Sequence, residues 1–203
     1  RSVPNVSQSL LFADDLATMF FFNKKGNIEN QINKYLLEIE KWLTKWKMKM
    51  APSKCRYMIF TQNKIIPKLN IFLQGEQIIY TNQLKFLGLT FDCRLNFNAH
   101  VNEIKTRCKD RLNIIKILAN KNWHLKPIIL GNIYKSLIGS IIDYSFLCLH
   151  MISETDLSRL QATQNMATRA IFRLPYDCSR SILGEYEAKL GFSQISDRLD
   201  DLN

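Results

Sequence analysis

SLLFADDLATMFFF, residues 9–22, decides how this chain is read. Two apolar runs flank a pair of carboxylates, which predicts a buried hairpin whose turn carries Asp14 and Asp15. Adjacent aspartates are common in surface turns, where they accept backbone hydrogen bonds. Here Leu10, Leu11 and Phe12 precede them, and Leu16, Ala17, Met19, Phe20 and Phe21 follow, so both charges are held against an apolar body. Left alone, the two carboxylates repel. A hard divalent cation resolves the conflict; Mg²⁺ keeps several waters and completes its shell with substrate phosphates, with Mn²⁺ as the alternative.

Working outward, Ile28, Ile32, Leu36, Ile39, Leu43 and Trp46 recur at three- and four-residue steps with Lys34, Glu38, Lys41 and Lys45 between them. This spacing predicts an amphipathic helix whose apolar stripe covers a sheet. Pro52 ends the pattern, and strands are expected at Cys55 to Phe60, Leu69 to Leu73, Gln77 to Tyr80 and Phe86 to Phe91. After Asn98 helical spacing takes over. Val101, Ile104, Cys108, Leu112, Ile115 and Leu118 mark one helix, and Pro127 to Met151 and Glu154 to Phe172 mark others. The expected fold class is α+β: a hairpin, a helix and short antiparallel strands over residues 1–97, then an all-helical region over 98–203.

Phe12-Ala13-Asp14-Asp15 resembles the F/Y-x-D-D hairpin of reverse transcriptases, and LFADDL is close to its form in non-LTR retrotransposons such as the jockey-like elements. The resemblance continues in the family's order over essentially the whole chain. WKMKMAPSKCRYMIF, residues 46–60, is similar to the W-x-L-K-x-N-x-x-K-T segment, although Ala51 and Cys55 stand where asparagine and threonine are usual. It implies that Lys54 donates a proton to departing pyrophosphate, as a cation beside developing negative charge can. Phe86-Leu87-Gly88 resembles the primer grip, where a glycine would admit close approach of nucleic acid. Asp92 follows an apolar strand, as a metal-binding palm aspartate does, but it comes after the hairpin rather than before it and is not assigned that role. The resemblance therefore implies that residues 1–97 are the C-terminal part of a polymerase palm and 98–203 the thumb and post-thumb region.

The resemblance also implies a reaction: a primer 3′-hydroxyl is extended with deoxynucleoside triphosphates, with two Mg²⁺ ions held in part by Asp14 and Asp15. Its partners would be an RNA template, a DNA primer, dNTPs, and the upstream palm and fingers of the same parent chain. Those upstream parts supply the remaining metal ligand and the nucleotide pocket, so the 203 residues are expected to be a fragment that does not polymerise alone.

Charge agrees with a nucleic-acid partner. Lys and Arg number 28 against 18 Asp and Glu, a formal net charge of +10 that attracts a polyanion. Lys105, Arg107, Lys109, Arg111, Lys116, Lys121, Lys126 and Lys135 face only Glu103 and Asp110, which predicts one basic helical surface along a duplex backbone. Two other readings carry the same charge: a degenerate nucleic-acid-binding module without catalysis, and a structural helical protein with a fortuitous F-A-D-D. Binding that weakens steeply with salt separates the first of these from the second.

The five cysteines, Cys55, Cys93, Cys108, Cys148 and Cys178, include no C-x-x-C pair, and their odd count argues against a disulfide framework. Core packing in a reducing, intracellular compartment, nucleus or cytoplasm, is expected instead of zinc binding. His100, His124 and His150 have no metal-ligand spacing. Gln161 and Arg169 match recognisable positions of jockey-like elements but suggest no chemistry. The apolar stretch from Leu130 to Met151 contains Lys135, Asp143 and His150, so it is expected to be a buried core helix without membrane contact.

Overall fold

The computed structural model describes residues 7–21, 28–146 and 152–201. Phe22, Cys148, His150 and Met151 lie outside the described residues. The chain divides into two compact units, Arg1–Asn82 and Gln83–Asn203.

In the first unit, β1 (Ser7–Phe12) and β2 (Asp15–Phe20) pair antiparallel with Phe12 opposite Asp15, leaving Ala13 and Asp14 as a two-residue turn. Helix α1 (Ile28–Lys45) follows. Ile28 and Ile32 are buried with Ile59, Leu69, Ile71, Leu73 and Ile78. Burial then fades along the helix, and Trp46 just beyond it is exposed. A short 3₁₀ turn, Pro52–Lys54, leads to four two-residue strands. These are β3 (Arg56–Tyr57), β4 (Phe72–Leu73), β5 (Glu76–Gln77) and β6 (Ile79–Tyr80).

The strands expected here are shorter than the sequence indicates, and β3 pairs with β6 in parallel rather than antiparallel. For the Leu69 to Leu73 segment the physical reason lies in α1, whose polar side chains take backbone bonds that a sheet partner would otherwise take. Asn33 donates to the Asn70 carbonyl and accepts from the Phe72 amide, both at 2.9 Å. Glu29 and Glu40 accept from the Asn70 and Gln74 amides. Backbone groups near a core must find some partner, and side chains meet that need as well as strands do.

The second unit begins with the hairpin β7 (Gln83–Phe86) and β8 (Leu89–Asp92), so the run read as a single strand from Phe86 to Phe91 is two strands around a Leu87–Gly88 turn. Helices α2 (Asn98–Leu118), α3 (Pro127–Tyr134), α4 (Ser140–Tyr144), α5 (Glu154–Phe172), α6 (Arg180–Lys189) and α7 (Ile195–Asp200) complete it. Between α3 and α4 the chain runs as a π-helical stretch, Lys135–Gly139.

Val101, Ile104, Cys108, Leu112 and Ile115 form the buried stripe of α2, packed with Leu130, Tyr134, Ile138, Ile142, Leu160, Ala167 and Ile171. Each large aliphatic side chain so buried contributes about 1.5–3 kcal/mol before entropy is counted. The Cys108 thiol, buried in this cluster, is pushed up to about 11 by desolvation and behaves as a small hydrophobe. Among the described residues no helix is long and apolar enough to cross a membrane.

The sequence places its change of architecture at Phe97, and α2 begins at Asn98; the compact units part at Asn82. Hairpin β7–β8 belongs with the helices because Leu89 packs on Phe97 and the hairpin bonds to α2 directly. Asp92 accepts from the Arg94, Asn96 and Phe97 amides, a local role that shapes the entry to α2.

Candidate functional site

The register of β1–β2 puts Asp14 in the turn and Asp15 at the first position of β2, so the two carboxylates stand at one tip. Both are exposed. Ala13 holds a positive φ of 53°, a conformation that costs a non-glycine residue about 1 kcal/mol and that accumulates at functional turns.

Burial of this hairpin was expected and is not found: Leu10, Leu11 and Phe12 are 67%, 68% and 63% exposed. Among the described residues, the hairpin's ring and side-chain hydrogen-bond contacts with α1 involve Ser9, Thr18 and Phe20, away from the turn. Phe20 meets the Tyr35 ring edge-on at 5.2 Å. The Tyr35 hydroxyl bonds Ser9 Oγ at 2.6 Å and Thr18 Oγ1 at 2.9 Å. Ser9 and Thr18 are directly opposite in the register and bond each other at 3.3 Å. Tyr35 therefore ties both strands to the helix, while Ala13, Asp14 and Asp15 at the tip are exposed.

Sequence reasoning missed Tyr35. The usable signal was the symmetry of Ser9 and Thr18 about a two-residue turn, which makes them cross-strand partners.

Lys54 ends the Pro52–Lys54 turn, exposed, and among the described residues no ion pair joins it to Asp14 or Asp15. Among the described residues there is also no group of three or more His, Cys, Asp or Glu side chains suited to hold a metal ion. The donor set from this chain is thus two adjacent carboxylates. Their oxygen chemistry fits a hard divalent cation as part of a shell.

The Phe86-Leu87-Gly88 segment is the turn of the second hairpin. Leu87 and Gly88 both have positive φ, 46° and 80°, the signature of a type I′ turn. Tyr144 donates its hydroxyl to the Leu87 carbonyl at 2.6 Å, and a Cβ at position 88 would lie 3.3 Å from the Tyr144 ring. Glycine at 88 relieves the strain that a side chain would meet at this positive φ.

Below this turn His100 is buried, its Nδ1 accepting from the Thr90 amide and its Nε2 facing Ser145 Oγ, both at 3.3 Å. Burial holds the imidazole below its ordinary range; Glu103 opposes that, and Lys85 and Arg107 add to it. Glu103 itself is lowered by its bond from Lys85, with a second bond from Thr90. His100 is a structural histidine of the hairpin–helix junction.

The basic residues of α2 do not make the single surface expected. At about 100° per residue, Lys105, Lys109 and Lys116 share one stripe, while Arg107 and Arg111 fall on the far side. Arg111 donates to the Leu137 carbonyl inside the π-helical stretch, where the wider turn frees backbone acceptors. Lys135 lies over the Phe192 ring at 5.6 Å. Gln161 also gains a role from the structure: its Oε1 accepts from the Ile195 amide at the start of α7. Arg169 stacks near the Tyr176 ring.

The chain is similar in sequence to known proteins. The chain is 28% identical over 166 residues to "Probable RNA-directed DNA polymerase from transposon BS" of Drosophila melanogaster, a match covering 81% of this chain and 18% of that protein. It is 24% identical over 198 residues to "RNA-directed DNA polymerase from mobile element jockey" of the same fly, covering 94% of this chain and 20% of that protein.

The chain has retrotransposon RNA-directed DNA polymerases as its homologues. These are jockey-like and other non-LTR elements. A more distant relative is "Retrovirus-related Pol polyprotein from type-1 retrotransposable element R1 4" of Nasonia vitripennis, 22% identical over 66% of this chain. The chain spans about a fifth of the length of the polymerases it matches first. No protein-family model matches it, and no solved structure does.

Proposed function

We propose that the chain is part of an RNA-directed DNA polymerase of a non-LTR retrotransposon, and that hairpin β1–β2 is its contribution to the catalytic centre. The observation that carries this reading is a two-residue turn that presents Asp14 and Asp15 side by side, exposed, in a chain whose homologues are such polymerases. Asp14 and Asp15 would hold Mg²⁺, which supplies charge stabilisation for attack of a primer 3′-hydroxyl on a dNTP. The chain's own work is positional: Tyr35 fixes both strands, and the free tip leaves the carboxylates open to a substrate and to further ligands. Lys54 would act as proton donor to pyrophosphate, brought into place in the complete polymerase. Lys105, Lys109 and Lys116 would follow the nucleic-acid backbone, and the Phe86-Leu87-Gly88 turn would lie beside the primer.

Primer extension on an RNA template tests this. The 203 residues alone should extend nothing, and activity should appear when the segment that precedes them in a related polymerase is joined in frame. Asp14→Asn should then reduce turnover by about 100-fold or more, since it removes a ligand to the catalytic metal while leaving the fold intact. Extension by the isolated chain that disappears with Asp14→Asn would overturn the fragment reading. Retention of full activity by Asp14→Asn in the joined protein would overturn the site.

A further inference from the structure

In the second unit a shallow, solvent-open cleft of about 340 Å³ lies between the C-terminal end of α2 and the C-terminal end of α5, lined by Lys116, Ala119, Asn120, Lys121, Ala170 and Arg173. Three of the six lining side chains are cationic and none is acidic. Arg173 is the residue just past α5, in the left-handed conformation with φ of 56°. Glycine is the favoured residue at such a position, so an arginine here is held against its backbone preference. Its Nε donates to the Ala119 carbonyl at 2.9 Å, at the end of α2. That bond fixes the guanidinium plane and leaves its terminal nitrogens without a protein acceptor among the described residues. Lys116 comes from the last turn of α2, and Lys121 from the start of the 3₁₀ turn Lys121–Trp123. Asn120 between them is fixed by accepting from the Asn122 amide at 3.1 Å.

We propose that this cleft binds a phosphate group. Three like charges gathered around one opening repel unless an anion sits among them. A guanidinium locked in orientation matches the geometry of a phosphate fork, and two flexible ammonium groups add point charges from either side. Lys116 is also the last member of the Lys105–Lys109–Lys116 stripe, so the stripe leads a polyanion into the cleft. The phosphate would come from a nucleic-acid backbone or from a small phosphate compound; the first source rests on the polymerase reading above, the site itself does not.

The test uses the full chain. Isothermal titration with pyrophosphate measures the site, and anisotropy of a labelled RNA–DNA duplex over a range of salt measures the backbone. The double variant Lys116→Gln, Lys121→Gln should weaken pyrophosphate binding by about tenfold or more. Its slope of log affinity against log salt for the duplex should fall by about two, at ~0.9 per phosphate lost. Arg173→Lys, which keeps the charge but not the fork, should weaken pyrophosphate as well, and it guards against a folding defect in the double variant. Lys34→Gln with Lys41→Gln, exposed cations of α1 that do not line the cleft, should leave pyrophosphate binding unchanged.

Loss of pyrophosphate binding with an unchanged duplex slope would keep the site and assign it to a small phosphate compound. Steep, salt-dependent duplex binding with no effect of any cleft variant on either ligand would overturn the site and leave the polymerase reading standing. Failure of the wild-type chain to bind pyrophosphate, with no cleft effect on the duplex, would also overturn it.

Discussion

Two hairpins in this molecule are each tied to a helix by one tyrosine hydroxyl, and the two ties are placed differently. In β1–β2, Tyr35 reaches Ser9 and Thr18 in mid-strand and leaves the Ala13–Asp14 turn free. In β7–β8, Tyr144 reaches the turn itself at Leu87, and His100 takes the Thr90 amide below it. Both turns hold a non-glycine residue at positive φ, Ala13 and Leu87, but the first hairpin presents exposed apolar strands, whereas the second packs Leu89 against Phe97. One hairpin leaves its tip exposed among the described residues, and the other is part of the helical unit that holds it.

Substitutions can break this contrast, beginning with the largest effect. Gly88→Ala should destabilise the chain by about 2 kcal/mol, because alanine at φ 80° is strained and its Cβ presses on the Tyr144 ring. Urea unfolding reads that loss.

A pH effect comes next and concerns only the second hairpin. His100 has a lowered pKa in the folded chain, so unfolded chains take up a proton first as pH falls. The stability from neutral His100 is complete above about pH 6.5, the unfolded value, and declines as pH falls from there through the folded pKa. Melting temperatures between pH 8 and 5 should follow that course, and His100→Gln should flatten it.

Tyr35→Phe should cost about 1 kcal/mol, the worth of the hydroxyl bonds it removes, and should loosen β1–β2 as read by amide exchange. Tyr144→Phe should cost somewhat less, about 0.5 kcal/mol, because this hydroxyl sits on an exposed side chain. The smallest effect is expected from Ala13→Gly, a gain of a few tenths of a kcal/mol as relief of strain exceeds the added freedom of the unfolded chain. Equal destabilisation by Tyr35→Phe and Gly88→Ala would erase the distinction between a presented tip and an anchored one.

Much of the fold was legible because periodicity is a local signal. Helix α5 occupies Glu154–Phe172, as its spacing predicts, and Ser153 caps it by accepting from the Asp156 amide. The stripe of α2 is buried where the pattern placed it. The Phe86 to Phe91 run misled because a Leu–Gly turn carries none of the polar residues that usually mark a hairpin. The Leu69 to Leu73 strand misled because part of its backbone bonds to side chains of α1, a non-local choice that no window of sequence contains.

By itself the sequence determined the paired aspartates at a hairpin tip, the apolar stripes of the helices and a net charge of +10, since each depends on residue type and near-neighbour spacing. Only the tertiary structure decided that β1–β2 is exposed and that Tyr35 holds it. The tertiary structure also gave β7–β8 to the helical unit. It divided the cations of α2 between two faces, and it brought Lys116, Lys121 and Arg173 around one cleft. Those outcomes depend on which distant surfaces meet, and burial, bonding and charge clustering between distant residues exist only once the chain has folded.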